Sequence, residues 1–344
     1  MTKARELSDY TGLAADITAG DTAARAGRKN LIINGGFDVW QRGTSFTNNN
    51  SVIYAADRYA TFSNGASTTS QQAFTFGQTD VASNPKYYLR WDVSTYSSGD
   101  RIYQRIEDVI TTSGQSVTLS YWAKAETATT MVPQATQAFG SGGSTAVTTA
   151  IDSVALTTSW QKFTRTFTLP SVSGKTIGAG SFLEVGLLRF TTSYTGYVDI
   201  TNVQLELGSV ATDFEHRSYG EELALCQRYF CKSFQYATTP ANDTNEDNGG
   251  WGGINAYTTG YARSGKQFYP TRMRTSPTIV VYNSTSYEGN AKWGYYKDGA
   301  WRNPSSATTA SGVTESYWYP TVHGSFTAHD SYLGRGHYTA DAEL

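Results

Sequence analysis

Val117-Thr-Leu-Ser-Tyr-Trp-Ala-Lys-Ala125 decides the fold class, because its apolar residues recur at every second position. Val117, Leu119, Tyr121 and Ala123 fall on one face, and Thr118, Ser120, Trp122 and Lys124 on the other. Such alternation sorts side chains only in a strand, where successive residues point to opposite faces. Tyr87, Leu89, Trp91 and Val93 form a second inward set, and Phe163, Phe167 and Leu169 a third. Turns rich in Gly, Ser and Asn separate these runs, with no helical repeat between them. From Asn30 to about Phe214 the sequence therefore predicts an all-β sandwich rather than an α/β domain.

The chain has 344 residues, enough for about two domains with cores of their own. Net charge is only −2, so no strong field exists to hold a nucleic-acid backbone or an anionic membrane. No apolar run approaches the roughly 18 residues of a membrane span, and the N-terminus has no apolar signal core. The expectation is a soluble chain with no visible export signal. Cys226 and Cys231 stand five apart, about 140° around a helix or on opposite faces of a strand. Neither geometry closes a local disulfide, so reduced, packed thiols are expected.

Residues 1–29 are small, polar and rich in Ala, Thr and Asp, with too little apolar side chain for a core. Ser218-Tyr-Gly-Glu221 is a capping box ahead of an apolar-periodic stretch, which predicts a short helix to about Phe230. Leu223, Cys226 and Phe230 would share its face. Residues 238–250 read as an exposed loop, and Gly252 to Leu344 returns to short β segments rich in Tyr and Trp.

Two phrases carry a resemblance. Asn30-Leu-Ile-Ile-Asn-Gly-Gly-Phe-Asp-Val-Trp-Gln-Arg-Gly43 and Gly196-Tyr-Val-Asp-Ile-Thr-Asn-Val-Gln-Leu-Glu-Leu-Gly208 resemble the opening and closing strands of a β-jelly-roll of the carbohydrate-binding-module type. The run from Asn34 to Gly43, with Ala56-Asp57-Arg58-Tyr59, resembles the opening of such domains in bacteriophage tail fibres. Ala211-Thr-Asp-Phe-Glu-His-Arg-Ser-Tyr-Gly-Glu-Glu-Leu-Ala-Leu-Cys-Gln-Arg-Tyr-Phe230 resembles the stretch that follows the jelly-roll there. Phe268 to Tyr282 is more loosely similar to their terminal β domains.

The resemblance implies a virion attachment segment at 1–29, a jelly-roll at 30–215, a linking helix at 216–235 and a β-rich receptor-contact domain at 236–344. It further implies a homotrimer in the phage tail, assembled in the host bacterial cytoplasm and docked through residues 1–29 on another virion protein. Its ligand would be a host surface glycan. Related jelly-rolls hold a structural calcium ion where the first and last strands meet, and Asp38 and Asp199 stand in those segments. Alternatives are a capsid decoration or head fibre, a fibre adaptor, or a free glycan-binding module of a carbohydrate-active enzyme.

Residues that could carry catalysis do not converge. Glu107-Asp108 are neighbours in an apparent strand and point to opposite faces, whereas a glycosidase needs two carboxyl groups flanking one bond. Glu221-Glu222 sits in the first helical turn, where acidic groups favour the helix dipole. Asp243-Thr-Asn245-Glu-Asp247 has alternate oxygen ligands but lacks the Gly and Glu that a calcium loop requires. His323, His329 and His337 lack zinc spacing, and no Gly-x-Ser-x-Gly or phosphate loop occurs. The reading is a non-enzyme that requires no cofactor.

The positive signal is for sugar recognition, which pairs an aromatic platform with planar hydrogen-bonding groups. On the polar faces of the strands lie Trp122 and Lys124, Arg90 and Asp92, and the row Tyr103, Arg105 and Glu107. If these strands are neighbours they make one face. The C-terminal region offers a competing surface in Trp251, Tyr257, Tyr261, Trp293, Tyr295, Tyr296, Trp301, Tyr317 and Trp318, set among Gly and Asn. Because the end opposite the attachment segment meets the host in fibres, receptor contact is expected there, with the sandwich as spacer or second site.

Overall fold

The computed structural model describes residues 29–244, 252–285 and 289–344. The described residues form two compact units: one takes the chain from Lys29 to Asp38, Thr44–Arg217 and Leu344, the other Val39–Gly43 and the described part of Ser218–Glu343. The attachment segment assigned to residues 1–29 lies outside the described residues, apart from Lys29.

The first unit is a jelly-roll β-sandwich. Its strands are β1 (Ser45–Tyr54), β2 (Tyr59–Ala73), β3 (Tyr87–Thr95), β4 (Arg101–Glu107), β5 (Ser116–Ala125) and β6 (Thr129–Met131). β7 (Gln134–Ala138), β8 (Val147–Ala150), β9 (Val154–Leu156), β10 (Gln161–Thr168), β11 (Phe182–Arg189) and β12 (Gly196–Leu207) follow. The main sheet runs β10-β5-β12-β3-β2-β4-β11-β7-β8, with β1 on β2 and every pair antiparallel. β2 belongs to both layers, pairing with β3 along Ala66–Ala73 and with β4 along Tyr59–Phe62. Between these stretches Gly65 runs against the Thr95 carbonyl so closely that a Cβ would collide with it. A bulge in β1 between Asn49 and Ser51 sits at the same level. Strands that change layers commonly do so at such bulges.

The inward residues that alternation selects in β5 and β3 are buried except Tyr87, which is half-buried, and Thr118 and Ser120 on the other face of β5 are buried as well. Val117, Leu119, Ala123, Leu89, Trp91 and Val93 are fully buried, and the Trp91 ring meets Phe190 at 5.2 Å. Each of the larger of these side chains contributes roughly 1.5–3 kcal/mol by leaving water, which makes the face assignment hard to invert.

The opening phrase departs from its expected form. Asn30 to Gly43 is not a strand; its first part lies along β12 through discrete bonds. Leu31 N donates to Leu205 O at 2.9 Å, Asn30 Nδ2 to Val203 O at 3.0 Å, and Val203 N to Gly35 O at 2.9 Å. Gly35 is pressed against the Val203 carbonyl, leaving no room for a Cβ. The last part, Val39–Gly43, packs in the second unit. There Trp40 N donates to the Tyr236 hydroxyl at 2.7 Å and Gln41 Nε2 to Phe230 O at 2.8 Å. Arg42 pairs with Asp341 and Glu343 at 3.0 and 3.3 Å.

The second unit opens with α1 (Tyr219–Gln227), capped by Ser218 Oγ, which accepts from Glu221 N at 3.3 Å. Its strands are β13 (Phe230–Lys232), β14 (Gly252–Ala256), β15 (Tyr261–Ser264), β16 (Gln267–Phe268), β17 (Thr278–Tyr282) and β18 (Gly294–Lys297). β19 (Ala300–Arg302), β20 (Thr309–Ser311), β21 (Tyr317–His323), β22 (Ser331–Arg335) and β23 (His337–Asp341) complete it. The helix stops before Phe230, which begins β13 and pairs with β23, so Phe230 does not share a helical face with Leu223 and Cys226. A small sheet β13-β23-β17 accompanies the larger β16-β21-β15-β14-β22-β18-β19, with β20 on β21. Their shared core holds Trp293, Trp318, Tyr338, Met273, Cys231 and Ile254. Both cysteines are buried, and neither forms a disulfide.

Candidate functional site

On the layer β10-β5-β12-β3, strand alternation turns Trp122 and Lys124 outward. Register places Thr201 and Lys162 beside Trp122, Asp199 beside Lys124, and Arg90 beside Asp199. Asp199 is buried, and Arg90 grips it with Nε and Nη2 at 2.8 and 2.9 Å while Lys124 Nζ stands at 3.7 Å. The hydrogen-bonded Asp199 carboxylate raises the Arg90 pKa. Arg90 also lies 3.9 Å over the Tyr197 ring, and Lys124 lies 5.3 Å over Trp160. Trp160, Tyr88 and Phe74 form an aromatic cluster with ring separations of 4.8 to 5.5 Å.

Trp122 itself lines a cavity of about 290 Å³ with Ser120, Lys162, Asn202, Asp213, Phe214 and His216. Asn202 is placed there by a bulge. Pairing of β12 with β5 shifts register between Thr201 and Gln204, and Asn202 takes a left-handed φ of 52°. A bulge re-aims side chains without ending the strand. Asn202 Nδ2 donates to Ser83 Oγ at 3.0 Å, whereas its Oδ1 is buried without a hydrogen-bond partner. A smaller cavity of about 160 Å³ shares Asn202, Phe214 and His216 and adds Asp38, Asn84 and Lys86. Burial raises the Asp38 carboxyl pKa, against the lowering charges of Lys86 and His216. An indole, an unmet amide acceptor, an ammonium and a carboxylate in one recess can hold a small polyhydroxylated ring.

The three expected sets do not form one face. Tyr103 and Arg105 lie on β4, in the other layer, where Arg101 and Arg105 share Glu184 at 3.4 and 3.0 Å. Tyr103 is buried beneath both guanidiniums, each 5.1 Å from its ring, so it is no open platform. Arg105 Nη1 also donates to the Leu344 carbonyl at 2.6 Å. Trp122, Lys124 and Arg90 remain together; Tyr103 and Arg105 leave the set.

Corrections are larger in the second unit. Trp293 and Trp318 are fully buried, edge to face at 5.8 Å, and Tyr295 is buried beside Phe326. They hold the core together and present nothing to a receptor. Trp301 and Tyr317 are half-buried, Trp301 beneath Arg335 at 4.1 Å and Tyr317 beneath Lys266 at 3.9 Å. Trp251 lies outside the described residues.

The carboxylate of Asp199 is taken up by Arg90 and Lys124, the partners a calcium ion would have to displace. Among the described residues no group of three His, Cys, Asp or Glu side chains is placed to hold a metal. His323 instead bonds Thr309, and His337 stacks on Phe234 at 4.1 Å. Asn202, Lys162, Asp213, Phe214 and His216 were missed as site residues. One signal was present: Val198, Ile200, Val203 and Leu205 are all buried, and the three-residue step from Ile200 to Val203 marks the extra residue.

No family model matches the chain, and no curated protein matches its sequence. Solved structures do align with about half of it. The CBM22-2 xylan-binding domain from Paenibacillus barcinonensis Xyn10C is 13% identical over 44% of this chain and 91% of its own, with a TM-score of 0.32. A putative sugar binding protein from Bacteroides thetaiotaomicron is 18% identical over 52% of this chain and 100% of its own, TM-score 0.33. The enzymatically active domain of tailspike protein 4 from bacteriophage CBA120 is 15% identical over 52% of this chain and 21% of its own, TM-score 0.30.

Proposed function

We propose that this chain is a non-catalytic glycan-binding protein of a tailed-phage virion, a tail fibre or tail-tip component that contacts host surface sugar during adsorption. The observation that carries the glycan reading is the recess beside Trp122, where a buried, unmet Asn202 Oδ1 is set among Lys162, Asp213 and His216. A sugar hydroxyl donating to that oxygen would satisfy a group that is costly to leave bare. The recess contains one carboxylate, Asp213, and the mechanism is binding without turnover. Placement in a virion rests on the sequence resemblance of Asn34–Gly43 and Ala211–Phe230 to tail-fibre jelly-rolls. Homotrimeric assembly and docking through residues 1–29 belong to the same proposal; symmetry would turn weak single-site contacts into avidity.

The test is binding of the full chain to an array of bacterial surface glycans, followed by monovalent titration of whichever glycan binds. Trp122→Ala should weaken it roughly 5- to 150-fold, the 1–3 kcal/mol of one buried aromatic contact, with the melting temperature unchanged. Unaltered affinity in Trp122→Ala and Asn202→Ala would remove this site. Labelling of the chain on intact particles separates tail from head; absence from particles would favour a free glycan-binding module.

A further inference from the structure

The larger sheet of the second unit sorts its residues cleanly. Ile254, Ala256, Ala262, Trp318 and Val322 are buried on one face. The other carries Asn255, Arg263 and Ser331, with Asn255 in register with both Arg263 and Ser331. Arg263 is enclosed by phenol rings: its guanidinium carbon stands 5.7, 5.6 and 5.4 Å from the ring centres of Tyr257, Tyr261 and Tyr319. Tyr257 and Tyr261 stack at 6.3 Å, and Tyr257 is 58% exposed. Among the described residues no carboxylate lies within ion-pair distance of Arg263, and its Nε is buried without a hydrogen-bond partner.

We infer that this face is a binding site for a carboxylate-bearing saccharide, with Arg263 as the anion fork and the tyrosines as stacking platforms. A guanidinium ringed by aromatics is weakly hydrated and presents its N–H groups as a planar pair matched to a carboxylate. Phenol rings accept the C–H face of a pyranose, and their hydroxyls can bond its oxygens. The neighbouring strand adds a donor. Ser331 Oγ donates to Asn255 Oδ1 at 2.8 Å, which fixes the amide and leaves its NH₂ for a ligand. Adjacent strands set Arg263 and Asn255 about 5 Å apart, on the scale of the separation between a sugar carboxylate and a ring hydroxyl. Charge complementarity selects an acidic sugar over a neutral one, since a neutral ligand would leave the guanidinium unpaired.

This site shares no residue with the Trp122 recess, so either can fail alone. The experiment is calorimetric titration of the full chain with tetragalacturonate, tetramannuronate and a glucuronate-containing tetrasaccharide, each against its methyl ester. At least one acid should bind saturably, and its ester should not. Arg263→Gln should weaken binding about 10- to 150-fold, the worth of a hydrogen bond to a charged group. Arg263→Lys should not restore it, because the fork is lost. Tyr257→Ala, at an exposed position, should weaken it without moving the melting temperature, which keeps the test open should the Arg263 variants fold poorly. Trp122→Ala should leave it unchanged. The inference is overturned if no acid binds at millimolar concentration, if acid and ester bind alike, if sulfate at equal molarity displaces the acid fully, or if both the Tyr257 and Arg263 variants bind as the parent does.

Discussion

Replacing Trp293 with Ala distinguishes a core residue from a receptor contact. The indole is fully buried, packs edge to face on Trp318 at 5.8 Å and donates from Nε1 to the His337 carbonyl at 3.2 Å. Gly336 lies so close that a Cβ there would fall within the ring. An aromatic side chain of this kind removes about 150–250 Å² from water, worth roughly 4–6 kcal/mol at 25 cal/mol per Å². Loss of the indole also removes its hydrogen bond to the His337 carbonyl, worth about 1 kcal/mol. Since a domain holds only about 5–15 kcal/mol in reserve, Trp293→Ala should bring the second unit close to unfolding. In urea, followed by near-ultraviolet circular dichroism, the midpoint of that unit should fall by about 2 M or more. Gly336→Ala should reproduce the defect by intrusion, whereas Trp301→Ala, at a half-buried position, should cost only about 1–2 kcal/mol. A Trp293→Ala midpoint within about 0.3 M of the parent, with glycan binding lost, would refute the core assignment.

Two further outcomes follow from ionisable groups. Burial alone would raise the Glu215 carboxyl, but the Asn30 N–H at 2.6 Å and Arg217 at 3.2 Å outweigh it, so its pKa lies below the ordinary 4.5. A depressed folded value means stability present above the unfolded value and lost as pH falls through the folded one; melting temperatures of parent and Glu215→Gln should therefore converge in acid and diverge at neutral pH. Burial pushes the Cys231 thiol up to about 12, and Cys226 is also buried, so neither should react with an aromatic disulfide reagent at about pH 8 until the chain is unfolded.

Much of the fold was legible because strand alternation is a local property. Val117 to Ala125 and Tyr87 to Val93 needed only the two-residue period to declare their buried faces, and Ser218 to Glu221 declared a helix start by its own cap. The helix end was not legible: Phe230 fits the helical period, yet pairing with β23, more than a hundred residues on, makes it a strand. The same limit governed the sites. Composition marked aromatic residues without saying which face of a sheet meets a core, so Trp293, Trp318 and Tyr295 read as a receptor surface although they are the centre of the second unit. Whether Tyr103 and Arg105 neighbour Trp122 stayed open in the sequence, because alternation assigns a side but not a strand order. Asn202 entered the Trp122 recess only through a bulge, and the ring of Tyr257, Tyr261 and Tyr319 around Arg263 formed only when their strands and loops came together. Sequence determines periodicity and local caps, which depend on a few adjacent dihedrals; strand order, layer crossing and uncompensated charge depend on contacts between distant residues, and those exist only in the folded chain.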